Sequence, residues 1–276
     1  MNSHIAFMKS EQDALKRIES PKKVLDYAAA AMGPKSKAAL PHQILVNFAS
    51  DHHGCRFSCS YCGWRTHNSC QKFMTPNFIA FDEFIEGFAG YRIALSGGGD
   101  PLYHASLKSG NNENYNRLAE IAFRLNTEGF LCDVITREYK TACLPKIMTL
   151  FHQICLSVDG IHGNALDASK KICERGINRL RISAVMTRKK NIDEWVEELS
   201  FYGAYANAIS VREDLFDSET RHIAIGVTKK LHRRGINVCF VPGNACLEGY
   251  FLMGTTVVRG QDIFNQETGE INSVQI

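Results

Sequence analysis

From Gln43 onward, short apolar runs alternate with amphipathic stretches, and this alternation restricts the fold more than any other feature of the chain. Parallel strands appear as compact apolar runs, and each return to a parallel neighbour needs a crossover of a dozen or more residues, usually a helix. The strand candidates are QILVNFA (43–49), YRIALSG (91–97), FLCDVIT (130–136), QICLSVD (153–159), LRISAVM (180–186) and AISVRE (208–213), with INVCFVP (236–242) as a seventh. Between them lie FDEFIEGFAG, NENYNRLAEIAFRLNTEG, LPKIMTLF, LDASKKICERG, NIDEWVEELSFYG and ETRHIAIGVTKKLHRRG, which carry helical periodicity. Six strand-helix units predict an α/β fold, a partial or complete (β/α) barrel.

Residues 1–40 read as an N-terminal helical extension, from the spacing in DALKRI and KKVLDYAAAAM, closed by the GPKSKAALP break. Residues 41–243 are the expected barrel, and 244–276 a C-terminal extension in which QETGE suggests a hairpin turn. A length of 276 residues suits one such domain with short additions. The net charge of +3 is spread along the chain and demands no polyanionic partner. The residues after Met1 lack the order of a secretion signal, and no apolar run approaches the ~20 residues that span a bilayer. A cytoplasmic protein with no membrane partner is expected. Six of the ten cysteines are scattered, mostly in apolar runs, and read as buried, reduced thiols.

The other four fall in GCRFSCSYCGWRTHNSC, residues 54–70. The spacing Cys55-x3-Cys59-x2-Cys62 supplies three thiolates, enough for three irons of a [4Fe-4S] cube, leaving the fourth iron open. This loop follows the first strand and SGGGDPL follows the second, so both belong at the C-terminal mouth of a barrel, where chemistry collects.

The cysteine loop, with Tyr61 just before its last cysteine, resembles the signature of the radical S-adenosylmethionine (SAM) superfamily. The resemblance implies that Cys55, Cys59 and Cys62 hold a [4Fe-4S] cluster and that SAM chelates its open iron. An injected electron then splits SAM into methionine and a 5′-deoxyadenosyl radical, which removes hydrogen from an unactivated carbon. It also implies a low-potential electron donor, flavodoxin- or ferredoxin-like, and places Tyr61 beside the adenine. Gly97-Gly98-Gly99-Asp100-Pro101-Leu102 is similar to the family's Gly-Gly-Glu-Pro element, which holds the SAM ammonium. Asp100 is one methylene shorter than the family's glutamate. LSVDG resembles the Ser-Leu-Asp-Gly element, implying that Ser157 helps bind SAM, with Asp159 as a turn residue or a lesser contact. The likeness runs over roughly residues 43–243.

A structural zinc site, completed by His52, His53, His67 or Cys70, is the competing reading of the cysteine loop. Zinc signatures favour paired C-x2-C spacing, and zinc leaves SGGGDPL without a role. Cys239 and Cys246 cannot complete a second four-cysteine cluster, so none is expected. For the substrate, a nucleotide or nucleic-acid base draws on Arg188-Lys189-Lys190 beyond the fifth strand and on Tyr103 and His104 at the mouth. The same charge run also reads as a solvated helix entrance. Peptide or protein modification, including glycyl-radical activation, is the alternative. A non-catalytic zinc or iron-sulfur module is the non-enzyme reading.

Overall fold

A computed structural model describes residues 43–46, 57, 59, 61–62, 92–96, 100–104, 112–161, 163–176, 179–214, 217–242, 250–253 and 256–259. The expected N-terminal extension (1–40) and the QETGE turn lie outside them.

Seven parallel strands follow one another across the sheet: β1 (Gln43–Val46), β2 (Arg92–Leu95), β3 (Leu131–Thr136), β4 (Gln153–Val158), β5 (Arg179–Val185), β6 (Ala208–Arg212) and β7 (Val238–Val241). Beyond β1, β8 (Tyr250–Met253) adds in parallel and β9 (Thr256–Arg259) pairs with β8 antiparallel. The order β7-β6-β5-β4-β3-β2-β1-β8-β9 leaves the sheet open. It is a partial barrel rather than a complete one. Sequence neighbours lie side by side because each crossover returns to the adjacent strand.

The helices are α1 (Pro101–His104), α2 (Asn112–Thr127), α3 (Tyr139–Ala142), α4 (Pro145–Met148), α5 (Gly163–Arg175), α6 (Ile192–Gly203) and α7 (Thr220–Arg233). The LPKIMTLF stretch supplies only the single turn of α4 before Phe151 leads into β4. α6 starts on a capping box: the Asn191 side chain accepts from the Asp193 and Glu194 amides, and the Glu194 carboxylate accepts from the Asn191 amide. Gly176, at φ 62°, follows α5 in the left-handed conformation that closes a helix.

The two faces of the sheet differ in chemistry. α2 packs on β3, α5 on β4 and β5, α6 on β6, and α7 on β6 and β7. Val134, Ile154, Leu156, Leu180, Ile182, Ile209 and Val211 join these helices in one apolar core. Side chains alternate across a strand, so the intervening residues point the other way. The parallel register aligns them in rows: Ile135, Cys155, Arg181 and Ala208, then Ser157, Ser183, Ser210 and Cys239 nearer the strands' C-terminal ends. Cys155, although buried, stands outside the apolar core. Cys155, Ser157, Ser183, Ser210 and Cys239 therefore mark a second, more polar face, whereas Cys132 belongs to the apolar core.

Of the scattered cysteines, Cys132 and Cys155 are buried as expected, while Cys143 and Cys239 are half-buried and Cys173 is exposed. None of these five is in a disulfide. No described helix is long and apolar enough to cross a membrane.

Candidate active site

Four loops meet at the C-terminal ends of β1 to β4, and one residue joins them through its side chain and its backbone N–H. Arg137, the first residue past β3, donates from Nη1 to Cys59 Sγ (3.0 Å) and to Tyr61 Oη (3.3 Å) in the loop after β1. Its Nη2 pairs with Asp159 Oδ2 (2.5 Å) after β4. Its backbone N–H donates to Asp100 Oδ2 (2.5 Å) after β2. A planar guanidinium with fixed donors suits this task, because several acceptors can be met at once. Burial pulls the guanidinium's pKa down, but the Asp159 hydrogen bond and the neighbouring Tyr61 and Cys59 outweigh it and leave the group firmly charged.

Cys59 and Cys62 are half-buried, outside any disulfide, and lie on one turn closed by the Cys62 amide donating to the Cys59 carbonyl (3.2 Å). The Cys59 sulfur thus accepts a charge-assisted N–H from Arg137. Tyr61 shares the Arg137 guanidinium with Cys59. Burial raises its phenol's pKa first and the Cys59 sulfur raises it further, against the opposing pull of Arg137, so the hydroxyl keeps its proton. Phe57 meets Tyr103 of α1 edge-on, with centroids 6.1 Å apart, which ties the cysteine loop to the segment after β2. Cys55 and Gly97, Gly98 and Gly99 lie outside the described residues.

Asp100 is buried and its carboxylate is fully engaged within the protein. Oδ1 accepts from the Leu102 amide (3.0 Å), the Tyr103 amide (3.1 Å) and Thr136 Oγ1 (2.7 Å), while Oδ2 accepts from Arg137. Burial pushes the carboxyl pKa up, and these four donors oppose it. Acceptance from the amides two and three residues ahead is the pattern of a helix cap, which a short side chain makes best. The departure from glutamate thus has a local reason: the carboxylate caps α1 and locks the end of β3.

Ser157 stands in the polar row on β4, half-buried, and its carbonyl accepts from Tyr139 Oη (2.6 Å). The turn after β4 is braced from below. Lys190 binds Glu198 (2.5 Å) and donates to the Asp159 carbonyl (3.4 Å), the Glu198 carboxylate accepts from the Ile161 amide (3.1 Å), and Tyr202 Oη donates to the Gly160 carbonyl (3.0 Å). Gly160 sits at φ 141°, where a Cβ would collide with Lys190 Nζ and lie 2.7 Å from Glu198 Oε2. Gly160→Ala is expected to cost about 1–3 kcal/mol through backbone strain alone. A thermal melt should fall by several degrees, and an unchanged melt would contradict this account of the turn.

The basic run is largely engaged within the fold. Arg188 pairs with Asp217 (2.7 Å), while Lys190 holds Glu198 and lies 4.8 Å over the Trp195 ring. Of the three, only Lys189 makes no ion pair among the described residues. Tyr103 is the ring that meets Phe57.

Arg137, Thr136 and Tyr139 are the site residues that the sequence reading passed over. Their position at or just past the C-terminal end of a strand, where the other motifs lie, was the available signal.

The sequence matches no family model and no curated protein. Among solved structures, Streptococcus suis SuiB is similar, at 15% identity and a TM-score of 0.47 over 80% of this chain and 53% of SuiB. SuiB bound to S-adenosylmethionine gives 14% identity and 0.47 over 74% of this chain and 51% of SuiB. SuiB bound to precursor peptide SuiA gives 14% and 0.48 over 80% and 53%. The chain spans about half the length of SuiB.

Proposed function

We propose that this chain is a radical SAM enzyme that modifies a peptide or protein. The carrying observation is the Arg137 junction, which draws Cys59 and Tyr61, Asp100 and Asp159 together at one end of the sheet. The donor set fits a [4Fe-4S] cluster: Cys59 and Cys62 share a turn outside any disulfide, and Cys55 completes the three-cysteine spacing. With SAM bound, such a cluster supplies reductive cleavage to a 5′-deoxyadenosyl radical, given a low-potential electron donor.

This chain's residues would do the rest. Cys55, Cys59 and Cys62 would hold the cluster, and Arg137 would orient the Cys59 sulfur. Gly97, Gly98 and Gly99 would let backbone approach SAM closely. Asp100 would position that loop through the α1 cap rather than by direct ligation. Tyr61 and Ser157 would contact SAM. The chemistry would lie within residues 41–243.

The peptide reading is preferred over a nucleotide because of the basic run. Arg188 and Lys190, the groups that would meet a phosphate, already hold Asp217 and Glu198. A peptide is also what one SuiB structure contains, although the preference here rests on the paired side chains.

Anaerobic reconstitution tests the proposal. About four irons and four sulfides per chain, a spectral change on adding SAM, and 5′-deoxyadenosine after reduction are expected. Deuterium passing from a labelled peptide into 5′-deoxyadenosine would identify the substrate. One tightly held zinc with no response to SAM would overturn the proposal.

A further inference from the structure

The polar face of the sheet carries a cation that the proposed SAM chemistry does not use. Arg181, on β5, donates from Nε to Cys155 Sγ (3.3 Å) on β4. None of its Nη hydrogens meets an acceptor among the described residues. Cys155 and then the hydrogen bond to it, Asp133 and Cys239 hold the guanidinium charged, against burial. Deeper in the sheet, Asp133 is fully buried on the same face. One step toward the mouth lies the row Ser157, Ser183, Ser210 and Cys239, with Ser210 and Cys239 in contact at 3.4 Å.

A half-buried guanidinium with unused forked donors is incomplete without an acceptor, and the planar fork fits a carboxylate. The described helices pack on the opposite face, so the fork points to the side on which the candidate site opens. We propose that Arg181 anchors a carboxylate of the substrate, an acidic side chain or the C-terminus of a peptide, on this face beneath the SAM site. The proposal rests on the peptide-modifying reading and specifies its substrate.

One guanidinium presents two parallel donors, the number that a carboxylate fills. Asp133 offsets part of the Arg181 charge. The serine hydroxyls at the next level can donate to or accept from a peptide backbone, which has groups of each kind.

The test is a ligand-observed NMR titration of the full chain with N-acetyl-L-glutamate methylamide, its neutral isostere N-acetyl-L-glutamine methylamide, and N-acetyl-phosphoserine methylamide. The wild type should prefer the glutamate probe over the glutamine probe by about tenfold, the scale of one charge-assisted hydrogen bond. It should bind the phosphoserine probe no better than the glutamate probe. Arg181→Gln should reduce the preference to about twofold or less. A measurement that needs no variant guards against misfolding: phenylglyoxal modification of Arg181, mapped by peptide mass spectrometry, should be slowed by the glutamate probe and not by the glutamine probe. Equal binding of the two isosteres, stronger binding of phosphoserine, an undiminished preference in Arg181→Gln, or absence of protection each overturns the proposal. These titrations require neither cluster nor SAM. Failure here with 5′-deoxyadenosine still formed would therefore remove the carboxylate anchor alone.

Discussion

Cys59→Ala is expected to abolish SAM cleavage while leaving the fold intact. Cys59 lies on a half-buried turn outside the apolar core, so removing its sulfur opens no cavity among packed side chains. Arg137 loses one acceptor but stays tethered by Asp159 and, through its backbone, by Asp100. The thermal melt should therefore shift little. Cluster assembly should suffer severely, because in the proposed three-cysteine site two remaining sulfurs would be too few to hold a cube that already lacks one protein ligand. The measurements are iron and sulfide content after reconstitution and 5′-deoxyadenosine formed on reduction. Cys173→Ala, at an exposed thiol on α5, is the matched control and should retain its iron. A Cys59→Ala protein that assembles four irons and cleaves SAM would remove Cys59 from the ligand set.

The strands were legible because a parallel sheet fixes their chemistry: LRISAVM and AISVRE each place apolar residues on the helix-covered face at every second position. The polar partners in those runs, Arg181, Ser183 and Ser210, were equally visible. Their alignment into rows was not, because register depends on which strands become neighbours. Asp100 shows a different limit. An aspartate after three glycines is compatible with a ligand or a helix cap, and only the Thr136 and Arg137 donors, 36 and 37 residues away, distinguish its use. The basic run 188–190 looked available because its partners, Asp217 and Glu198, come from elsewhere in the chain. The addition of β8 beside β1 likewise pairs residues about 200 positions apart, beyond the reach of local pattern.

Arg137 left the weakest trace in the sequence and carries the second large prediction. Arg137→Met removes three contacts together: the N–H to sulfur, the contact with Tyr61 and the ion pair with Asp159. The backbone hydrogen bond to Asp100 should survive, since it does not involve the side chain. Asp159 is 35% exposed and can turn to water, so the stability cost should stay near 1–2 kcal/mol. The electrochemical effect should be larger in consequence. A positive charge beside a sulfur that ligates the proposed cluster would favour the added electron, and its removal should lower the midpoint potential by roughly 60 mV, a tenfold shift in a one-electron equilibrium. An EPR-monitored redox titration of the reconstituted protein reads this directly, apart from turnover. Arg137→Lys keeps the charge but cannot reach Cys59, Tyr61 and Asp159 with one rigid fork, so it should recover most of the potential and little of the stability. If Arg137→Met lowered the melt yet left the potential unchanged, Arg137 would be a brace for the loops and not a tuner of the metal site.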